Sequence, residues 1–186
     1  MMGMLPKMLA AFLFVSAVPE FRLRDTAGVE HTAREWTHAK AAVVFFVTID
    51  CPIGNSYVPE MNRIRDTYGP RGVVTWAVQA DPTLPQAAVV KYAADYRYSF
   101  PLLLDPQQVL VRHTGATITP QAAVLSPEGK VLYLGRIDNR VEDFGKQRLK
   151  ATVPDLRNAI DAVLAGKPVV PERTKSIGCS IPGTNP

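Results

Sequence analysis

Two cysteines are the residues in this chain whose type and position could support chemistry. Cys51 follows the apolar run Val43–Val47 and precedes Pro52, where a buried strand would end and a helix would begin. The free backbone N–H groups and the positive dipole of a helix N-terminus favour the thiolate form of a cysteine. The sequence therefore predicts a nucleophilic thiol at the start of a helix.

Cys51 has no second cysteine at the spacing of a Cys-x-x-Cys pair, because the residue three positions later is Gly54. The other cysteine, Cys179, lies in a segment rich in proline and glycine near the C-terminus. Thiol–disulfide exchange needs a second thiol to resolve the mixed disulfide, and Cys179 could supply it if this segment folds back. A Cys51–Cys179 bond could equally be an inert link worth roughly 4–5 kcal/mol in the chain-entropy model. Both alternatives remain open from the sequence.

The N-terminal residues have the pattern of an export signal. Lys7 precedes the apolar run Met8–Val18, which is short for a membrane span and contains the small residues Val15-Ser16-Ala17. We predict a signal peptide over residues 1–17, with an uncleaved membrane anchor or an ordinary N-terminal apolar helix as the alternatives. Export to the periplasm or the extracellular space would allow disulfides to persist. No stable membrane span is expected after cleavage.

Length and charge point to one compact domain with a tail. The chain has 186 residues and a net charge of +4 that is spread along its length, so nucleic-acid binding is not expected. We predict a domain over residues 18–166. Residues 167–186 form a C-terminal tail that carries Cys179.

The order of the predicted elements defines an α/β fold. Strands over Val43–Val47 and Val73–Val78 flank a helix that begins after Cys51, and this β-α-β crossover implies parallel pairing. Strands over Gln121–Leu125 and Val131–Leu134 are joined by a hairpin loop, which implies antiparallel pairing. A mixed central β-sheet with helices on both faces satisfies both requirements.

Three features together resemble the thioredoxin superfamily: Cys51-Pro52 at the strand-to-helix turn, Ile118-Thr119-Pro120 before a hairpin strand, and the element order. The run Asp50–Asn55 and the pair Gly178-Cys179 are similar to motifs of exported redoxins, a branch related to thiol peroxidases and membrane-tethered thiol–disulfide oxidoreductases. The resemblance implies a thioredoxin-like three-layer fold in which a cis Pro120 faces Cys51. It also implies that the Thr119 backbone is available to a partner chain, and that the partners are protein thiols or disulfides, or an envelope redox protein.

Two other chemistries have incomplete motifs. Thiol peroxidases carry a Thr or Ser three residues before the reactive cysteine and a Pro four residues further back; Thr48 fills the first position, but Val44 occupies the second. Arg136 could supply the cation that such a site needs. Copper chaperones of the Sco type hold a second cysteine at the position of Asn55, and an amide is a poor Cu(I) ligand.

Thiol–disulfide exchange is therefore the predicted activity, with a thiol peroxidase, a copper-handling protein or a redox-inert binding module as alternatives. The histidines show no metal-ligand spacing, and we predict neither a metal nor a cofactor. The predicted catalytic residues are Thr48, Cys51, Thr119, Pro120 and Cys179.

Overall fold

The computed structural model describes residues 19–184. In chain order the strands are β1 (Arg22–Arg24), β2 (Glu30–Thr32), β3 (Ala41–Val47), β4 (Val73–Gln79), β5 (Leu102–Leu104), β6 (Ile118–Thr119), β7 (Gln121–Leu125), β8 (Val131–Gly135), β9 (Val141–Asp143), β10 (Lys146–Gln147) and β11 (Cys179–Ser180). The helices are α1 (Arg34–Thr37), α2 (Pro52–Tyr68), α3 (Gln86–Asp95), α4 (Val109–Thr114) and α5 (Asp155–Leu164).

The central sheet is mixed, as the element order predicted. Its five strands lie in the order β5-β4-β3-β7-β8, with β3, β4 and β5 parallel and β7 and β8 antiparallel to their neighbours. Every residue of β3 is buried, because helices cover both faces of the sheet. The carboxyl end of β3 therefore opens onto the N-terminus of α2, where Cys51 lies.

Two hydrophobic clusters form the layers on either side of the sheet. Helices α2, α3 and α5 pack on one face, where Phe45 is buried with Met61 and Ile160. Helices α1 and α4 pack on the other face, where Trp36 and Trp76 are buried with Phe21. This arrangement confirms the predicted three-layer α/β fold.

Two segments contain more structure than their sequence indicated. The charged stretch after Arg136 includes the antiparallel pair β9–β10. The proline-rich tail contains β11, which pairs with β6 in the register Cys179 to Thr119 and Ser180 to Ile118. Neither segment has the hydrophobic alternation that marks a strand, because both pairs contain only two or three residues per strand.

Within residues 19–184, none of the helices combines the length and the apolar character that a bilayer crossing requires. The predicted signal peptide, residues 1–17, lies outside the described part of the chain.

Candidate active site

Cys51 caps the N-terminus of α2. Its backbone is extended (φ −92°, ψ 101°), Pro52 occupies the first turn, and the Asn55 N–H donates to the Cys51 carbonyl at 2.9 Å. The Cys51 Sγ accepts a hydrogen bond from the Gly54 N–H at 3.4 Å. The cysteine is completely buried. A thiolate at this atom would be stabilised by that N–H and by the helix dipole.

The segment before strand β7 lies against this sulfur. The Thr119–Pro120 peptide bond is cis, as the resemblance implied. The Cys51 Sγ donates to the Thr119 carbonyl oxygen at 3.1 Å. Thr119 is completely buried, and its Oγ1 lies 3.1 Å from the Oγ1 of Thr48. These contacts bring Thr48, Cys51 and Thr119-Pro120 together at one edge of the sheet.

The C-terminal tail brings Cys179 onto Cys51. Pairing of β11 with β6 sets Cys179 opposite Thr119, and the Thr119 Oγ1 donates to the Cys179 carbonyl at 3.4 Å. The two cysteines are free thiols in the structure, and their Sγ atoms lie 2.7 Å apart. All five sequence-predicted site residues are thus neighbours, although Cys179 is 128 positions from Cys51 in the chain.

Noncovalent contacts hold the tail on both sides of Cys179. Before it, Thr174 accepts the Arg136 N–H at 3.0 Å through its Oγ1, which also lies 2.7 Å from the Tyr133 hydroxyl. After it, the Ile181 N–H donates to the Thr117 carbonyl at 2.8 Å, and the Ile181 side chain is buried in the core. The placement of Cys179 therefore does not depend on a disulfide.

The two thiols differ in their surroundings. Burial raises the pKa of Cys179 to about 12, with further contributions from its hydrogen bond to Cys51 and from the charges of Cys51 and Asp50. Cys179 therefore keeps its proton at neutral pH. Cys51 alone has the helix N-terminus that favours a thiolate.

Asn55 fixes the turn that carries Cys51. Its Nδ2 donates to the Ile49 carbonyl at 3.2 Å and to the Tyr96 hydroxyl at 3.1 Å, and its Oδ1 accepts the Tyr92 hydroxyl at 2.9 Å. The contacts of Tyr92 and Tyr96 with Asn55 form across the fold, from residues 37 and 41 positions away in the chain. The amide at the position of the second Sco-type cysteine is therefore engaged in hydrogen bonds.

The peroxidase-like residues have other partners. Among the described residues, the Thr48 hydroxyl is bonded to Thr119 and makes no hydrogen bond to the Cys51 sulfur. The Arg136 Nε donates to Asp155 Oδ2 at 2.7 Å, and this ion pair raises the pKa of Arg136. Over residues 19–184, no cluster of three or more His, Cys, Asp or Glu side chains is arranged to hold a metal ion.

A groove of about 300 Å³ opens beside Cys179. The exposed Phe144 at the β9–β10 turn forms part of its wall. Its lining residues are Pro52, Ile53, Phe144, Gly145, Gln147 and Cys179. Cys51 is not among them, so of the two cysteines only Cys179 lines the groove.

The chain matches a known protein family. A family model described as Redoxin matches residues 15–158. The chain belongs to the redoxin family. This redoxin is 27% identical over 139 residues to the thiol-disulfide oxidoreductase ResA of Geobacillus thermodenitrificans, covering 75% of this chain and 78% of the relative.

Solved structures share the fold of this redoxin. A hypothetical protein of Sinorhizobium meliloti 1021 superposes with a TM-score of 0.77 at 28% identity, covering 95% of this chain and 98% of the other. An uncharacterized conserved protein of Geobacillus kaustophilus gives 0.76 at 28% identity, covering 92% and 93%. A putative thiol:disulfide interchange protein DsbE of Chlorobium tepidum gives 0.61 at 21% identity, with 80% and 95% covered, and supports the fold alone. These structures confirm the predicted fold, and the redoxin match confirms the predicted redoxin branch of the thioredoxin superfamily.

Proposed function

We propose that this redoxin is a thiol–disulfide oxidoreductase in which Cys51 is the nucleophile and Cys179 the resolving thiol. The observation that carries the proposal is the 2.7 Å separation of the two sulfur atoms at a helix N-terminus opposite Thr119-Pro120. The similarity to a relative named as a thiol-disulfide oxidoreductase supports the same chemistry.

The exchange proceeds in two displacements. The Cys51 thiolate attacks one sulfur of a partner disulfide, a mixed disulfide forms, and the other partner sulfur leaves as a thiolate. Cys179 then loses its proton to that thiolate or to water and attacks the Cys51 sulfur, which releases the second partner thiol. The mixed disulfide removes the negative charge of Cys51, one of the groups that raise the pKa of Cys179, and so makes this deprotonation easier.

A permanent structural disulfide is the competing interpretation of the same geometry. A link that only pins a tail contributes most where the tail has no other attachment. Here Thr174 and Ile181 are already bonded to the domain on either side of Cys179. We therefore infer that the bond can open and close without unfolding.

The experiment is a count of free thiols during graded native reduction of the oxidised protein by dithiothreitol, with near-ultraviolet circular dichroism as the fold control. We expect two thiols to appear under mild reduction while the spectrum is preserved. Cys51→Ser and Cys179→Ser should each lack the intramolecular bond. Thiols that appear only on unfolding would favour the structural link, and two thiols that persist under oxidation would disprove the pairing.

We also infer that the protein acts outside the cytoplasm on protein thiols or disulfides. Lys7 and the apolar run after it support export. The pneumococcal exposed lipoprotein thioredoxin of Streptococcus pneumoniae shares the fold, at 18% identity and a TM-score of 0.59. Labelling of Cys179 in intact cells by a membrane-impermeant maleimide tests the location. Labelling that requires cell lysis would contradict export.

A further inference from the structure

The two sulfur atoms of the site differ in their access to a partner. Cys51 is completely buried, with the Thr119 carbonyl on one side and the Cys179 sulfur on another. Cys179 is partly exposed and lines the 300 Å³ groove beside Phe144. An approaching thiol therefore meets Cys179 first.

Strand β11 also covers the backbone next to Cys51. Its pairing places Cys179 and Ser180 against Thr119 and Ile118, so the edge that a partner chain would use is occupied by the protein's own tail. In the dithiol state, only hydrogen bonds and packing hold the short segment between Thr174 and Ile181 on this edge. A Cys51–Cys179 bond would fix that segment covalently, and β11 could not leave before the bond breaks.

We propose that reduction of the Cys51–Cys179 disulfide begins with attack of an external thiolate on the sulfur of Cys179. The inference rests on the proposed exchange activity and assigns its regeneration step. Substrate reduction would then begin at the sulfur of Cys51, and regeneration would begin at the sulfur of Cys179. The tail can leave the site in the dithiol state, whereas the disulfide holds it in place.

The step balances as a single displacement. The donor thiolate forms a new S–S bond with Cys179, the Cys179–Cys51 bond breaks, and Cys51 leaves as a thiolate that the Gly54 N–H and the helix dipole stabilise. The second thiol of the donor then attacks the donor sulfur that is bonded to Cys179. The donor becomes a disulfide, and Cys179 leaves and takes up a proton.

Cys51 is also the better leaving group in this step. In thiol–disulfide exchange, the thiol with the lower pKa leaves faster. Cys51 lies at the helix start, whereas burial raises the pKa of Cys179. The exposure of Cys179 and the stabilisation of the leaving Cys51 thiolate therefore both favour attack on Cys179.

The test traps the first mixed disulfide in the unmodified chain. Oxidised protein is mixed with 2-mercaptoethanol, a neutral single thiol, and quenched in acid at short times before maleimide alkylation and peptide mapping. We expect the mercaptoethanol adduct on Cys179 and the maleimide on Cys51, in at least about tenfold excess over the reverse pattern. An adduct on Cys51, or equal amounts on both, would overturn the inference while leaving the exchange activity intact.

A glycine variant separates the effect of the tail from intrinsic reactivity. A Cβ on Gly178 would overlap the Thr119 carbonyl oxygen, so Gly178→Ala should displace β11 and shift adducts toward Cys51. Gly69→Ala is the matched control, because a Cβ there meets only Arg65 Cδ at 3.9 Å, and its adduct ratio should equal that of the parent protein. An unchanged ratio in folded Gly178→Ala contradicts the role of the tail. If Gly178→Ala does not fold, the trapping result on the unmodified chain decides.

Failure of the underlying activity gives a different readout. If oxidation produces no Cys51–Cys179 bond in the starting material, the proposed function falls, and the inference falls with it. If the bond is present and opens under mild reduction, the position of the adduct alone decides the inference.

Discussion

The hydroxyl oxygens of Thr48 and Thr119 lie 3.1 Å apart at the buried edge of the central sheet. This contact joins the end of strand β3 to the segment whose carbonyl accepts the Cys51 thiol. Thr119 also donates to the Cys179 carbonyl at 3.4 Å. One threonine pair thus connects both cysteine-bearing segments of the site.

Thr48→Val should lower the free energy of unfolding by about 1 kcal/mol, the usual net worth of such a hydrogen bond. Thr119 keeps its contact with Cys179, so its hydroxyl is not left without a partner. Denaturant unfolding measures the effect. The Thr48→Val/Thr119→Val double variant should lose less free energy of unfolding than the two single variants together.

The same variant tests the peroxidase alternative. Because the Thr48 hydroxyl is bonded to Thr119, we expect Thr48→Val to leave the rate of Cys51 oxidation by hydrogen peroxide unchanged. Stopped-flow oxidation of the reduced protein gives this rate. A fast parental rate that falls at least about tenfold in Thr48→Val would instead identify peroxide reduction as the activity.

Gly54→Cys should give Cys51 a competing partner. A Cβ at position 54 would lie 3.5 Å from the Cys51 Cβ, at the edge of the range of about 3.5–4.5 Å found across disulfides. Peptide mapping of the oxidised variant should recover a bond between positions 51 and 54, with Cys179 free. Gly54→Ala is the control, since its Cβ makes ordinary contact with Cys51 and the bond to Cys179 should persist. Exclusive pairing of Cys51 with Cys179 in Gly54→Cys would contradict this geometry.

Asn55→Ala should slow thiol–disulfide exchange as well as lower stability. The substitution removes the amide that joins the Ile49 carbonyl to the hydroxyls of Tyr92 and Tyr96, which loosens the turn before α2. We expect a loss of about 1–2 kcal/mol in unfolding free energy and a several-fold slower exchange rate.

Asn62→Ala provides the matched control for Asn55. Asn62 lies on the same helix and bonds the Arg97 carbonyl and the Ser99 N–H, far along the helix from Cys51. It should lose stability but keep the parental exchange rate. An equal decrease of the exchange rate in both variants would show that overall stability, and not the turn before α2, controls that rate.

His31 should make stability depend on pH. Burial alone would lower its pKa, but hydrogen bonds and the charges of Glu35 and Asp25 outweigh burial and raise the pKa above 6.5. Because the folded-state pKa is the higher one, this contribution is fully present below about pH 6.5 and is lost as the pH rises through the folded-state value. His31→Gln should therefore reduce the difference in unfolding free energy between about pH 6 and pH 9.

The exposed His38 is the matched histidine for this comparison. His38→Gln should keep the parental pH dependence. If His31→Gln keeps it too, the ion pairs of His31 with Asp25 and Glu35 do not contribute to stability in the way described.

The sequence was sufficient to predict the fold and the position of Cys51, but not the side chains that support it. The fully apolar run at Val43–Val47, the helical spacing after Cys51 and the hairpin near Pro127 are local patterns, and each predicted its element correctly. Asn55 could not be recognised as the support of the Cys51 turn. Its partners are Tyr92 on α3 and Tyr96 directly after α3, and an intervening strand separates both from Asn55 in the chain.

The sequence by itself determined a mixed α/β domain with a thiol at a helix start, because hydrophobic periodicity and helix-start residues act over short distances in the chain. Only the tertiary structure decided that Cys179 meets Cys51. The tail has no periodicity, and its position depends on contacts of Thr174, Gly178 and Ile181 with distant segments. Such contacts leave no local pattern in the chain, since packing and backbone pairing between remote residues create them.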